Sequence, residues 1–256
     1  MVGAIAGDVI GSVYEHHPIK TKTFPLFDKR ATYTDDTVLT VAVAQAILTG
    51  DSYKESIRTI GQRYPNAGYG GSFIHWLHAD DPQPYNSWGN GSAMRVSPVG
   101  FAFENADEVL SQAKQSAAIT HNHPEGIKGA QATALAIFLA RTGTSQATIR
   151  SEISQRFEYD MDRTVEDIRP EYSFDVSCQG TVPEAIIAFL DSESYEDAIR
   201  NAISLGGDSD TLGCITGGIA EAYYGEVPED IQTEVVRNRL PEELWEIVEQ
   251  FYREYR

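Results

Sequence analysis

The chain has 256 residues and a formal net charge of −18, with 38 acidic side chains against 20 basic ones. This length suits one large domain, and 41% hydrophobic with 23% charged residues is typical of a globular protein rather than a disordered or fibrous one. The negative charge excludes bulk binding of nucleic acid or anionic membranes, and no apolar run approaches the roughly 20 residues of a membrane span. We therefore expect a single soluble cytoplasmic domain over residues 1–256, present as a monomer.

Apolar residues recur at helical spacing along the chain, and alternation with period two is almost absent. In a first helix, Gly3, Gly7 and Gly11 share one face and allow another backbone to approach closely, as do the glycines at 213, 217 and 218. The runs around Val38 and Ile127 predict two more helices. Further helices are predicted at about 53–64, 106–118, 145–157, 182–190, 195–204, 211–224, 229–238 and 242–254. The pattern predicts an all-α fold, a compact many-helix globule.

Three longer segments lack this helical pattern, at about 16–33, 79–92 and 158–181. They are rich in proline, glycine, aspartate or aromatic residues. Long irregular segments inside a compact domain often carry function. The glycine-containing part, 82–92, is the most suggestive of them.

Two short acidic sequences stand at predicted helix starts. Thr34-Asp35-Asp36-Thr37 precedes one helix, and Asp208-Ser209-Asp210-Thr211 begins another after Gly206-Gly207. Taken alone, such a motif is most often a threonine cap with acidic residues favoured by the helix dipole. If the two starts meet, four carboxylates crowd one cavity, and each like-charge pair at about 4 Å costs roughly 4 kcal/mol at an effective dielectric of about 20.

Such a cluster requires a cation or bound protons. Carboxylates and threonine hydroxyls are hard oxygen donors, which favour magnesium or manganese over zinc, and four acids suit two divalent ions better than one. The second motif is not an EF-hand, because Leu212 occupies a ligand position and Ile219 stands where the bidentate glutamate belongs. It also lacks the lysine of a phosphate-binding P-loop.

Three other features are candidates for binding or catalysis. Small residues in Gly89-Asn90-Gly91-Ser92 allow backbone amides to converge on an anion, although an isolated Asn-Gly pair is more often an ordinary turn. His121 is a candidate for a ligand contact. Glu15 follows the C-terminal end of the first helix, where the dipole disfavours a negative charge that has no partner. It is therefore a candidate catalytic carboxylate or metal contact.

Together, these motifs resemble the ADP-ribosylglycohydrolase family, over roughly residues 2 to 225. The matching stretches, in order, are Gly7-Asp8 to Glu15, residues 34–37, Gly89 to Arg95 and residues 207–211, with Thr120-His121 as a fifth. The resemblance implies an all-helical fold and a centre of two Mg²⁺, or Mn²⁺ in its place, held by Thr34, Asp35, Asp36, Asp208, Asp210 and Thr211. It also implies that the diphosphate and distal ribose of ADP-ribose are held by Gly89, Asn90, Gly91 and Ser92, with His121 nearby and with Met94 and Arg95 as structural supports.

The implied activity is hydrolysis of the N- or O-glycosidic bond between ADP-ribose and a modified target, such as an arginine or serine of a protein. Glu15 is the first choice for proton transfer, with Asp35 or Asp36 as the alternative. The tract from Gly11 to Glu15 is most similar to the branch that acts on serine-linked and polymeric ADP-ribose, but many small bacterial relatives share it. Two other functions stay open: a non-catalytic ADP-ribose-binding or crystallin-like structural protein, and a metal-dependent phosphoesterase.

Overall fold

The computed structural model describes residues 1–255. Its helices, in chain order, are α1 (Val2–Gly11), α2 (Asp35–Thr49), α3 (Tyr53–Arg63), α4 (Gly71–His78), α5 (Ser97–Ala102), α6 (Ala106–Ala118), α7 (Pro124–Arg141), α8 (Gln146–Phe157), α9 (Val165–Ile168), α10 (Cys178–Leu190), α11 (Tyr195–Ser204), α12 (Ser209–Tyr224), α13 (Glu229–Ile231) and α14 (Glu242–Tyr255). A 3-10 turn at Asn90–Ser92 and a π-helix at Gln232–Arg237 complete them. Within residues 1–255 there is no β-sheet, only an isolated bridge between Gly89 and Ser177. The all-α prediction is confirmed.

The centre of the molecule is the packed pair α1 and α12. Every residue of α1 is buried, and α12 is buried from Ser209 to Glu221. A Cβ atom added at Gly7 would overlap the carbonyl of Gly213, so the two backbones touch as the glycine pattern predicts. One added at Gly11 would overlap the Ser209 carbonyl. The end of α1 therefore lies against the start of α12.

The helix bounds differ from the sequence prediction mainly between residues 158 and 181. Part of this predicted irregular segment is helical, because Thr164 forms a capping box that starts α9. Helix α10 begins at Cys178 rather than near 182, because the Ser177 hydroxyl accepts the amide of Gly180 at 3.1 Å. Gly180 and Pro183 make this helix start difficult to predict from the sequence, because both residue types usually interrupt a helical pattern.

Near the C-terminus, the helix predicted at 229–238 divides into α13 and the π-helix. The short helices α4 and α5 were not predicted. Across residues 1–255, no helix combines the length and the apolar character needed to cross a membrane.

Candidate active site

A cavity of about 560 Å³ opens where α2 and α12 begin. Its walls also include residues 68, 70–73, 85–91, 174 and 176. Among the predicted site residues, those that line it are Glu15, Asp35, Asp36, Gly89, Asn90, Gly91, His121, Asp208, Asp210 and Thr211. Thr34 and Ser92 do not line it. The fold thus brings together side chains from stretches almost 200 residues apart.

The start of α2 is held by Asp8, a fully buried residue of α1. The Asp8 carboxylate accepts hydrogen bonds from the Thr34 amide at 3.0 Å, the Thr34 hydroxyl at 2.8 Å and the Thr37 amide at 3.1 Å, and also from the Thr37 hydroxyl. Thr34 is the N-cap of α2, and its hydroxyl accepts the Asp36 amide at 3.2 Å. These contacts satisfy the amides of Asp36 and Thr37 in the first turn. The carboxylate of Asp36 is therefore not needed as a cap.

The start of α12 is held from the glycine segment, which we define as residues 89–91. Asp208 is the N-cap residue but makes no capping hydrogen bond. Instead, its Oδ2 accepts the side-chain amide of Asn90 at 2.7 Å, and the same amide donates to Thr181 at 3.1 Å. Asn90 thus fixes the Asp208 carboxylate at the wall of the cavity.

Three carboxylates meet at the floor of this cavity. Glu15, Asp208 and Asp210 each offer an oxygen that lies within 4.8 Å of the other two. On the facing helix, Asp36 Oδ2 is buried and has no hydrogen-bond partner within residues 1–255. Hard oxygen donors at this spacing, together with a buried carboxylate oxygen that has no donor, fit a divalent cation of the magnesium type.

The pKa values of these acids reflect their crowding. Burial first, and then the charge of Asp8, raise the pKa of Asp35 to about 7 and that of Asp36 well above its usual range. Burial and the neighbouring Asp208 and Asp36 charges likewise raise the pKa of Asp210. Burial is also the main cause of the raised pKa of Glu15. The cluster therefore holds protons at neutral pH unless a cation replaces them.

The glycine segment is tied to the loop before α10. The backbone amide of Asn90 donates to the Val176 carbonyl at 2.8 Å, and the backbone amide of Gly89 donates to the Ser87 hydroxyl at 3.1 Å. Because these two amides already have acceptors, they are not free to cradle an anion. Ser92 is fully buried, and its hydroxyl donates to the Gly126 carbonyl at 2.7 Å, so its side chain supports the segment from behind.

His121 and Arg95 form a further part of the cavity wall, next to the glycine segment. His121 is only 5% exposed and lines the cavity. Arg95 donates to the Ser116 carbonyl at 2.9 Å, as expected of a structural support, but it also lines the cavity. Within residues 1–255 it is the only lysine or arginine that does so. This second position agrees with the sequence, in which Arg95 is also a cation that can compensate the charge of an anionic ligand in a very acidic protein.

Sequence reasoning missed the exposed rim of the cavity and the role of Asp8. Trp88 is 53% exposed and Phe174 is 52% exposed, and both line the cavity together with the exposed Val176. Large apolar side chains exposed around a cavity indicate a ligand surface. For Asp8, the available signal was an aspartate within an otherwise apolar helix, since a buried carboxylate needs partners.

Comparison with known proteins places this site in a family. The sequence profile described as ADP-ribosylglycohydrolase matches residues 1–256. The chain belongs to the ADP-ribosylglycohydrolase family. This membership confirms the resemblance drawn from the motifs and the prediction of a glycosidic hydrolase.

Individual members of the ADP-ribosylglycohydrolase family agree with the profile. ADP-ribosylhydrolase ARH3 of Xenopus tropicalis is 28% identical over 304 residues, which cover 88% of this chain and 86% of the relative. ARH3 of Homo sapiens is 28% identical over 315 residues, covering 91% and 86%. The ADP-ribosyl-[dinitrogen reductase] glycohydrolase of Rhodospirillum rubrum is 24% identical over 158 residues, covering 60% and 52%. A solved structure, an ADP-ribosylglycohydrolase-related protein complex, matches with a TM-score of 0.77 at 26% identity, covering 100% of this chain and 97% of that one.

Proposed function

We propose that this chain hydrolyses the glycosidic bond between ADP-ribose and a modified acceptor, such as an arginine or serine side chain, and releases free ADP-ribose. The observation that carries the proposal is the meeting of Glu15, Asp208 and Asp210 within 4.8 Å at the floor of a cavity of about 560 Å³. The names of the ARH3 relatives and of the Rhodospirillum rubrum glycohydrolase describe the same class of reaction. A cavity of this volume suits a ligand the size of ADP-ribose.

We further propose a pair of Mg²⁺ ions, or Mn²⁺ in their place, held by Thr34, Asp35, Asp36, Asp208, Asp210 and Thr211. When bound, such ions supply concentrated positive charge that orients oxygen atoms of the substrate and lowers the pKa of water. Thr34 has the least structural support as a metal ligand in this set, because its hydroxyl donates to Asp8 and the residue does not line the cavity. Glu15 is an additional ligand candidate, since its carboxylate lies in the same cluster.

The side chains around the reacting bond have distinct roles in this proposal. Hydrolysis breaks the bond between the anomeric carbon and the acceptor atom, which leaves with the bonding electron pair and takes up a proton. A water oxygen forms the new bond to that carbon. Glu15 is half-buried with a raised pKa, so its carboxylate takes the proton that the water gives up. Asp35, with a pKa of about 7, is the alternative base. Positive charge that develops on the sugar is stabilised by the surrounding carboxylates.

The other end of the cavity suits the nucleotide portion. The glycine segment leaves room for a diphosphate beside His121, since Gly91 has no side chain to fill the space. Trp88 and Phe174 present exposed aromatic faces at the rim, where an adenine ring can stack.

The test is an activity panel with direct identification of products. Peptides ADP-ribosylated on arginine or serine, O-acetyl-ADP-ribose and poly(ADP-ribose) are incubated with the enzyme in Mg²⁺, in Mn²⁺ and in excess chelator. We expect free ADP-ribose from at least one linkage in either metal, and a large loss of rate with chelator. Asp36→Asn is expected to be inactive. Asp107→Asn, which changes an exposed acidic residue in the first turn of α6, serves as the matched control.

Each rival function gives a different result in this panel. Release of AMP or inorganic phosphate would identify attack at phosphorus and a phosphoesterase. Tight binding of ADP-ribose without turnover of any linkage would identify a binding protein. Either result would overturn the proposed glycosidic hydrolysis.

A further inference from the structure

A chain of hydrogen bonds lies behind the glycine segment and ends at His121. The buried Arg95 donates from Nη2 to the Thr120 hydroxyl at 2.8 Å and to the Ser116 carbonyl at 2.9 Å. The Thr120 hydroxyl in turn lies 2.7 Å from His121 Nδ1. Arg95 and Thr120 are both fully buried, so water does not compete for these contacts.

The direction of the protons in this chain follows from the chemistry of its members. A guanidinium group has only donors, so the Thr120 oxygen must accept from Arg95. Within residues 1–255, the hydroxyl proton of Thr120 then has one acceptor in reach, which is His121 Nδ1. If Nδ1 instead carried a proton and donated it to Thr120, the hydroxyl proton would be buried without an acceptor, which is unfavourable. His121 Nδ1 is therefore the acceptor and carries no proton.

The charge state of the ring follows from its surroundings. Burial and the positive charge of Arg95 hold the pKa of His121 well below its usual range, so the imidazole is neutral. A neutral imidazole with an unprotonated Nδ1 carries its proton on Nε2.

The Nε2 atom faces the glycine segment. A Cβ atom added at Gly91 would lie 3.1 Å from His121 Nε2, and one added at Gly89 would lie 3.6 Å from it. The ring lines the cavity, and within residues 1–255 its side chain makes one hydrogen bond, the contact between Nδ1 and Thr120. The Nε2–H group of His121 therefore has no acceptor within residues 1–255 and faces the glycine segment, where the diphosphate is expected.

We propose that Arg95 and Thr120 are positioning residues that fix His121 as the neutral Nε2–H tautomer, a preset hydrogen-bond donor to a diphosphate oxygen at the glycine segment. The identity of that oxygen rests on the proposed function, whereas the tautomer does not. A preset donor does not have to exchange protons or rotate before it binds the ligand, which favours affinity through preorganisation.

The first experiment reads the tautomer directly. The full chain, labelled with nitrogen-15 in its histidines, is studied by NMR without ligand and with chelator present. The signals of His121 are assigned by their loss in His121→Asn. We expect an unprotonated Nδ1 and a protonated Nε2 in the wild type. Thr120→Val removes the hydroxyl donor and should move part of the proton population to Nδ1, whereas Thr120→Ser should restore the wild-type pattern.

A matched control is available in α7. Thr133 is a buried threonine whose hydroxyl has no hydrogen-bond partner in the described part of the chain, so Thr133→Val makes the same chemical change away from the site. Its His121 signals should be unchanged. A protonated Nδ1 in the wild type, or an unchanged His121 pattern in Thr120→Val, would overturn the proposal. If Thr120→Val does not fold, the wild-type spectrum and that of Thr120→Ser decide the question.

The second experiment measures the affinity for ADP-ribose by calorimetry. We expect Thr120→Val to bind about tenfold more weakly, and Thr120→Ser and Thr133→Val to stay within about twofold of the wild type. Equal affinity in Thr120→Val and the wild type would contradict the role in binding. Failure of the wild type to bind ADP-ribose, with the expected tautomer present, would contradict the proposed function while supporting the fixed histidine.

Discussion

The two acidic helix starts have similar sequences but are fixed in different ways. At α2, the Asp8 carboxylate accepts hydrogen bonds from the amides and hydroxyls of Thr34 and Thr37. A residue of another helix therefore satisfies these donors at the start of α2. At α12, the cap residue Asp208 makes no capping bond and is held by the side chain of Asn90. In both cases, a polar residue distant in sequence leaves carboxylates free to face the cavity.

This difference shows how a sequence that is typical of helix caps can leave carboxylates available to a cavity. A Thr or Asp at a helix start usually uses its side chain on local amides. Here Asp36 keeps a buried oxygen that has no hydrogen-bond partner among residues 1–255, and carboxylate oxygens of Asp208 and Asp210 lie within 4.8 Å of one of Glu15. The acids repel one another, so the structure around them must hold them in place against that repulsion.

The largest effect is expected when one acid is neutralised on either helix. Asp36→Asn and Asp210→Asn should each lower the rate of ADP-ribose release by on the order of a thousandfold or more, because each removes a charge from the proposed shared metal site. Thermal melts in chelator at neutral pH should show little loss of stability in either variant, because without metal both buried acids hold protons and asparagine matches them in size and charge. Full activity in one variant alone would show that the two helix starts do not form a single site.

The mutual repulsion should also appear in the pH dependence of stability. Asp35 has a pKa of about 7 in the folded chain, whereas the unfolded chain has the ordinary value near 4. Between these values the folded state binds more protons, so its contribution to stability is complete below about pH 4 and is lost as the pH rises to about 7. We expect metal-free wild type to lose roughly 2–4 kcal/mol from this residue across that range.

The measurement is urea unfolding in chelator at a series of pH values. Other carboxylates contribute their own pH dependence, so the informative quantity is the difference between the wild type and Asp35→Asn. The variant should lose less stability as the pH rises, and saturating Mg²⁺ should remove most of the wild-type loss. Parallel curves for the two proteins in chelator would show that Asp35 does not titrate as expected.

A smaller effect is expected from the residue that anchors α2. Asp8→Asn keeps the size of the side chain but replaces one acceptor oxygen with a donor that faces the threonine donors. We expect the free energy of unfolding to fall by about 1–3 kcal/mol and the rate to fall as well, although Asp8 does not line the cavity. Thr37→Val, which removes a single hydroxyl contact, should cost about 1 kcal/mol. An Asp8→Asn variant with unchanged stability would refute the anchoring role.

What the sequence could predict follows from the range of the interactions. The helical periodicity, the glycine face of α1 and the Thr34 cap depend on residues a few positions apart, and the structure agrees with each of them. The meeting of the two acidic starts follows from the glycine-lined contact of α1 with α12, which was predicted, and from Asp8, which was not.

The features that were missed depend on contacts between distant parts of the chain. Asp8 reaches residues 26 and 29 positions away, and no local pattern marks that pairing. Ser92 belongs to a segment of small residues, but its hydroxyl donates to the Gly126 carbonyl instead of lining the cavity. Gly126 lies 34 positions away, so the sequence does not show this contact. Trp88 and Phe174 lie in irregular segments, where sequence spacing does not tell which side chains share a rim.

The smallest effect of a substitution is expected at the rim of the cavity. The aromatic residues of the rim carry no charge, in contrast to the carboxylates at the two helix starts. Trp88→Ala should weaken ADP-ribose binding by about tenfold, since stacking of one base on an aromatic ring is worth roughly 1–3 kcal/mol. The catalytic rate at saturating substrate should change little, because bond cleavage is proposed to take place at the acidic floor. Phe27→Ala is the matched control: Phe27 is 42% exposed but does not line the cavity, so its loss should leave binding unchanged. If Trp88→Ala instead lowered the saturated rate and left affinity intact, the division into a binding rim and a reacting floor would be wrong.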